Sequence, residues 1–344
     1  MNYRGDYKIF DTRGIKTHPV KIRKNKVAYD DVLSPEQINT DKLALSGIQK
    51  ENIRTVAEHV IEMRKEKKPV LIFSGAHLIK NGLGRLLIDL IQRDLITLIA
   101  GNSATTIHDF ELALIGQTSE DVPLALEKGE FGMAYEFIFQ NAALSLGNEL
   151  QLGYGESLSR MICDPGFRDK VLARLSCSQE LEFQYSHISV LAACFEKHIP
   201  FTVHAGIGTD VIDQHPSFDG QAKGGCSGRD FLVYAHEITR MIKGGMLINI
   251  GSAVTGPEVF LKAASMAANI GKAPHRIITA DFDLRSFDAA AMSDESKMNY
   301  YFRDQKTIVT RVPQAYHGQG YYIQGNQKET FPYFYQQVIN LQKS

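Results

Sequence analysis

The sequence predicts an α/β protein with a doubly wound, mainly parallel sheet and a helical insertion. Three observations predict it. Short apolar runs end in small residues, stretches with apolar side chains at helical spacing separate those runs, and the two kinds of segment alternate along most of the chain. That alternation is the pattern of βαβ units.

Residues 1–45 are polar and basic and read as an N-terminal arm packed on the body or on a partner subunit. Residues 46–344 read as a single α/β nucleotide-binding domain. Ile53, Val56, Val60 and Ile61 lie on one face of a helix over 48–67. The run PVLIFSGAH (69–77) is a buried strand and its loop, and 83–94 is an amphipathic helix. A second strand, 95–103, ends in Gly-Asn-Ser, and a helix opens around His108. The stretch 118–165 lacks strand signals but carries helices over 131–147 and within 151–162, so a helical insertion is placed at about 118–178. Strand signals resume after a helix at 186–198. A strand (200–210), a loop (214–228), a helix (229–242), a strand (244–254), a helix (257–271) and a strand (275–283) follow. The segments 306–313 and 333–342, the latter helical, close the fold.

Of the 344 residues 44% are hydrophobic and 22% charged, enough for a sizeable core. The net charge of -1 provides no basic field for nucleic acid or anionic lipid. Cys163, Cys177, Cys194 and Cys226 form no C-x-x-C pair and suit free thiols in a reducing compartment. The start has no apolar signal-peptide core, and no apolar run approaches the ~20 residues of a membrane span. A cytoplasmic location is expected.

Chemistry is expected where ligands bind in open parallel sheets, outside the carboxyl ends of the strands. Four such ends carry small residues: Ser74-Gly75-Ala76-His77, Gly101-Asn102-Ser103-Ala104, Gly206-Ile207-Gly208-Thr209-Asp210 and Gly251-Ser252-Ala253. Small side chains admit a ligand to the backbone N–H groups, and a following helix N-terminus favours an anion. These loops, with Thr279 and Asp281, are the candidates to hold a nicotinamide dinucleotide, NAD. The G-x-G-x-x-G fingerprint, the phosphate loop G-x-x-x-x-G-K-[ST] and the nucleophile motif G-x-S-x-G are all absent.

His108, Glu111, Asp210, His215 and Asp283 are the candidates for proton transfer and for binding a substrate ammonium. Structural readings stand beside these. Asp109 suits a cap and His204 a satisfied core residue, while Asp281 and Asp283, which alternate along a strand and point to one side, suit either a ligand amine or ribose or the capping of the following loop. No metal is expected. A metal-assisted hydrolase using His204, His215 and Asp219 remains an alternative, as does a non-catalytic NAD-binding sensor.

The order of these motifs resembles the deoxyhypusine synthase-like NAD-binding fold, a Rossmann variant. The matching segments are Ser74-Gly75-Ala76, Ile207 to Asp210, Ile250-Gly251-Ser252 and Thr279-Ala280-Asp281 through Asp288. The tail from Thr307 to Ile339 is similar to the family's closing strand and helix. Gly101-Asn102-Ser103-Ala104 with His108-Asp109-Phe110-Glu111 also resembles a motif in the NAD-binding half of a bacterial ornithine cyclodeaminase. The resemblance implies bound NAD, a small amine or amino-acid substrate, hydride abstraction at a C–N carbon with an imine intermediate, and a tetramer. Where the synthase carries a histidine pair, this chain has Val254-Thr255-Gly256-Pro257-Glu258. Where the synthase carries its lysine nucleophile, this chain reads Asn299 to Asp304, with Lys297 and Lys306 only flanking. Deoxyhypusine synthase activity itself is therefore not expected.

Overall fold

Eight strands form in the computed structural model, which describes residues 3–176 and 181–343. They are β1 (Asn25–Ala28), β2 (Val70–Ser74), β3 (Leu98–Gly101), β4 (Gln117–Glu120), β5 (Phe201–Val203), β6 (Met246–Ile250), β7 (Ile278–Asp283) and β8 (Gln319–Gln324). Six make one sheet in the order β5-β3-β2-β6-β7-β8, every neighbouring pair parallel. The chain runs outward from β2 to β3 and β5, then returns to the other side of β2 with β6. This is the 3-2-1-4-5-6 order of dinucleotide-binding sheets, whose order reverses between the first and fourth strands. Here the reversal lies between β2 and β6.

The central strands are continuous apolar runs because both faces are covered. Val70 and Ile72 face the core shared with the helices Gly47–Lys65, Gly84–Gln92 and Gln327–Lys343. Leu71 and Phe73 face the opposite core, with Tyr234 and Phe260 from the helices Gly220–Thr239 and Thr255–Asn269. Such alternation is the strand period of two, and it confirms the doubly wound arrangement. The open edge of β5 is blocked against further pairing. Val203 N donates to Asp230 Oδ2 at 2.7 Å, and a Cβ on Gly155 would lie 1.8 Å from Phe201 O.

Three expectations are corrected. The segment 306–313 is not the closing strand: Gln305–Arg311 is a π-helix that runs into Val312–Ala315. Ile308 and Val312, one helical turn apart, both enter the core, so their spacing outweighs the β-branched composition. The closing strand is β8, a half-buried edge strand without an apolar run. It packs so closely on the π-helix that a Cβ on Gly320 would lie 2.0 Å from Val309 O. Second, the region placed as a helical insertion begins with β4, which pairs antiparallel with β1 of the arm. Both strands are short and polar, and their pairing is non-local. Third, the glycine-rich stretch 214–228 is a loop only in its first part. Asp219 Oδ1 accepts from the N–H groups of Gln221 and Ala222 and starts the helix Gly220–Thr239 there.

The arm is tied to the body from His18 onward. His18 N donates to Met133 O, Val20 N to Glu136 Oε2 and Leu33 N to Gly82 O. Cys163, Cys194 and Cys226 are free thiols, and Cys177 lies outside the described residues. Among the described residues no helix is long and apolar enough to cross a membrane.

Candidate functional site

The helix Ser103–Ile115 follows β3 and carries the most specific motif of the sequence. Asn102 caps it, its Oδ1 accepting from Thr105 N at 3.0 Å, and Gly116 ends it in the left-handed conformation at φ 67°. His108 and Glu111, three residues apart, share one face of this helix. Asp109 faces the other way. It is buried and accepts from Ser189 Oγ, Val190 N and Leu191 N, so it caps the helix Val190–Glu196. Burial raises its carboxyl pKa to about 6, while those three donors hold it down. Replacing Asp109 with Ala orphans buried donors and lowers stability by about 2–3 kcal/mol. Chemical denaturation checks this, and a loss below about 1 kcal/mol contradicts the capping role.

The His108 face borders a cavity of about 250 Å³. Its wall includes Arg23, Lys80, Ala104, His108, Glu111, Glu120, Thr209 and Asp210. The structure thus brings together five sequence candidates: Ala104, His108, Glu111, Thr209 and Asp210. Arg23 comes from the arm. Its Nη2 lies 2.7 Å from Glu111 Oε1, and both side chains are buried. The two attract as charges, yet neither atom has a hydrogen bond of acceptable direction.

A hydrogen-bonded chain links the two candidates on the helix. Thr118 Oγ1 donates to Glu111 Oε2 at 2.5 Å and lies 2.7 Å from His108 Nδ1. A hydroxyl has one proton. With that proton given to Glu111, His108 Nδ1 must supply its own, and Nε2 is the unprotonated nitrogen. Burial, then the charges of Lys80, Arg23 and His77, lowers the His108 pKa from 6.5 to about 4. The imidazole is therefore neutral at physiological pH. Burial raises the Glu111 pKa, and Arg23 opposes it.

Asp210 is not a free carboxylate. Lys223 Nζ, buried beneath the loop, lies 2.7 Å from Asp210 Oδ2, 2.6 Å from Asp213 Oδ1 and 2.9 Å from Gly206 O. Asp213 Oδ2 also accepts from Gly208 N. This ion triad fixes the loop that carries Gly208 and Thr209.

The other candidates lie apart from this wall. His215 Nδ1 is 2.7 Å from Ser217 Oγ, and its Nε2 is buried without a partner. His204 stacks on Phe73 and meets Tyr234 edge-on; burial lowers its pKa to about 3, as a neutral core histidine requires. Asp219 is a helix cap. Among the described residues no group of three or more His, Cys, Asp or Glu is placed to hold a metal ion. His204, His215 and Asp219 are not brought together as such a group.

Asp281 and Asp283 project from β7 toward Arg285 and Asp304. Asp283 Oδ1 accepts from Arg285 N, and Arg285 also bridges to Asp304. Asp281 is buried, which raises its pKa well above the usual range, and Asp304 adds to the rise. Burial pushes the Asp283 pKa upward too, but its bonds from Arg285 win and leave it lowered.

At the strand ends proposed for a dinucleotide, the helix after β2 begins at Ala76 and is only five residues long (Ala76–Lys80). Ser74 Oγ donates to Gly75 O, and His77 is exposed near Lys80. Gly75 has a packing role: a Cβ there would lie 2.2 Å from Gly251 O. Gly251 is left-handed at φ 62°. Ser252 Oγ accepts from Gly256 N in the next helix, and Ala253 lies between them. The β3 end shows Gly101 against Thr105, and the Ser103 Oγ buried without a partner. Thr279 Oγ1 donates to Ile308 O. Asn249 and Asp281, paired in register on β6 and β7, share one hydrogen bond at 2.8 Å. Asn249 Oδ1 and Asp281 Oδ2 are buried without partners. Both side chains are fully buried beneath the sheet's carboxyl edge, and the strand order is the one dinucleotide-binding sheets share.

No family model and no curated protein sequence matches the chain. Solved structures with a similar fold include the arginine dihydrolase ArgZ from the ornithine-ammonia cycle in cyanobacteria, at 14% identity and TM-score 0.46 over 85% of this chain and 32% of that one. A putative LOR/SDH protein from Methanococcus maripaludis S2 aligns at 14% identity and TM-score 0.45, over 90% of this chain and 74% of that one. AgrE in a ternary complex with ornithine and NAD+ aligns at 13% identity and TM-score 0.45, over 85% and 33%. The chain spans about a third of the length of ArgZ and AgrE.

Proposed function

We propose that the chain is an NAD-dependent enzyme acting on a small amine or amino acid, with the cavity beside the helix Ser103–Ile115 as its substrate site. The observation that carries this reading is the half-buried, neutral His108, which lines a cavity holding both cations and carboxylates while its Nδ1 is engaged by Thr118. At about 250 Å³ the cavity is smaller than the roughly 300–1,000 Å³ of drug-sized pockets, so it suits a small metabolite. The dinucleotide belongs above the ends of β2, β3 and β6, where the strand order reverses. Its candidate holders are Ser74, Gly75, Ala76, His77, Gly101, Asn102, Ser103, Gly208, Thr209, Gly251, Ser252, Ala253, Thr279 and Asp281.

When bound, NAD would supply an acceptor for a hydride leaving the carbon that bears nitrogen. Oxidation of an ammonium to an iminium also releases one proton. His108 Nε2 is the base for that proton. The proton on Nδ1 can then pass to Thr118 Oγ1 while the Thr118 proton passes to Glu111 Oε2. This transfer leaves the imidazole neutral, as the nearby positive charge of Lys80 favours. The raised proton affinity of buried Glu111 suits it to hold the proton. The chain in this reading is a deoxyhypusine synthase-like protein that works as a homo-oligomer.

The test is incubation with NAD+ and a panel of amines and amino acids, with conversion followed by mass spectrometry and reduced-nicotinamide absorbance. Conversion of one panel member supports the reading. NAD+ binding with no conversion of any member leaves a nucleotide sensor in its place.

A further inference from the structure

Lys80 closes the helix Ala76–Lys80 and lines the cavity, half-buried. Among the described residues its ammonium has no hydrogen bond or ion pair, unlike the other charges around it. Arg23 is held against Glu111, and Asp210 against Lys223. The cavity wall also includes Ala104, in the first turn of the thirteen-residue helix Ser103–Ile115, whose N-terminus carries partial positive charge. Arg23 Nη2 is taken up by Glu111 Oε1 at 2.7 Å, so Lys80 is the cation of the wall left for a ligand among the described residues. One end of the cavity wall is thus short of an anion. Glu111 and Glu120 contribute two carboxylates to the same wall.

We propose that the cavity takes an α-amino acid, its carboxylate received by Lys80 and its ammonium by Glu111 and Glu120. The proposal rests on the reading of this cavity as the substrate site. It selects amino acids over simple amines, because an amine leaves the Lys80 charge without a counter-ion in a confined space. Lys80 is thereby the residue that sets specificity.

The experiment is calorimetric titration of the wild-type protein and Lys80→Met with the common amino acids, their decarboxylated amines, orthophosphate and NAD+. The expected result is an amino acid that binds wild type at least tenfold more tightly than its amine. Lys80→Met then weakens the amino acid at least tenfold and leaves the amine unchanged. Loss of the Lys80 charge also raises the His108 pKa from about 4, read by NMR, which shows that the variant is folded and that the two groups face each other. Equal binding of amine and amino acid overturns the proposal. So does orthophosphate as the tightest of the small ligands, or a Lys80→Met effect on NAD+ alone. NAD+ binding without any amino-acid binding sinks this inference and leaves the dinucleotide reading standing. Lys80-dependent amino-acid binding without NAD+ does the reverse.

Discussion

Replacing Lys223 with Met lowers the stability of the folded chain by about 3–5 kcal/mol. The lysine is 1% exposed and is the only cation bonded to Asp210 and Asp213 among the described residues, whose side chains are 8% and 5% exposed. Methionine fills much the same volume, so the loss is electrostatic rather than a cavity effect. Two buried carboxylates are left facing each other without a cation, and burying an unpaired charge is among the largest single-site penalties. Adding Asp210→Asn and Asp213→Asn to Lys223→Met removes the stranded charges and should recover part of the stability. Denaturant unfolding of the single and triple variants measures both effects. A Lys223→Met loss below about 1 kcal/mol, the value of an exposed pair, contradicts a buried triad. The loop 206–213 also carries Thr209 and Asp210 into the cavity wall, so substrate binding should weaken with it.

His108→Asn lowers kcat by about 10²- to 10⁴-fold on whichever substrate the panel identifies, the range general-base catalysis supplies. Asparagine keeps a donor close to the position of Nδ1, so the bond to Thr118 and the fold survive while the base is removed. The pH dependence is distinctive. An ordinary histidine titrates near 6.5, but desolvation, then the positive charges nearby, lowers the His108 pKa to about 4. The neutral, active form therefore persists as pH falls from about 8 to about 5, and kcat/KM declines only below that. An ionisation near 6.5 that controls kcat/KM, and vanishes in His108→Asn, contradicts the lowered pKa of this imidazole. Activity in His108→Asn above a tenth of wild type removes His108 from the proton-transfer role.

The sheet was legible because β2, β3, β6 and β7 are buried on both faces and so appear as apolar runs ended by small residues. β8 was not, because an edge strand reading Gln-Gly-Tyr-Tyr-Ile-Gln needs no apolar run. The π-helix at Gln305–Arg311 was misread because its β-branched residues favour strands by composition, while their core contacts follow helical spacing. In the cavity, His108 and Glu111 stood out by their spacing after a small-residue strand end. Arg23, Lys80, Thr118 and Lys223 did not. Arg23 sits among exposed basic residues of the arm, and only its approach to Glu111, far along the chain, distinguishes it. Lys223 lies in a glycine-rich stretch that looks like a loop, and its partners are marked by the fold alone. The clue available for Thr118 was its place just after the helix-ending Gly116, where the chain turns back toward that helix. Gly75 shows another limit: the sequence suggests room for a ligand there, and its close approach to Gly251 is a second demand for glycine that the sequence does not mark.

The most direct test of the central claim is calorimetric titration of NAD+ into the protein after any bound small molecules have been stripped and identified by mass spectrometry. The account predicts released NAD, or micromolar binding with one site per chain, tightened when the amino acid selected by the Lys80 cavity is also present. No released nucleotide and no binding of NAD+ at millimolar concentration contradicts it.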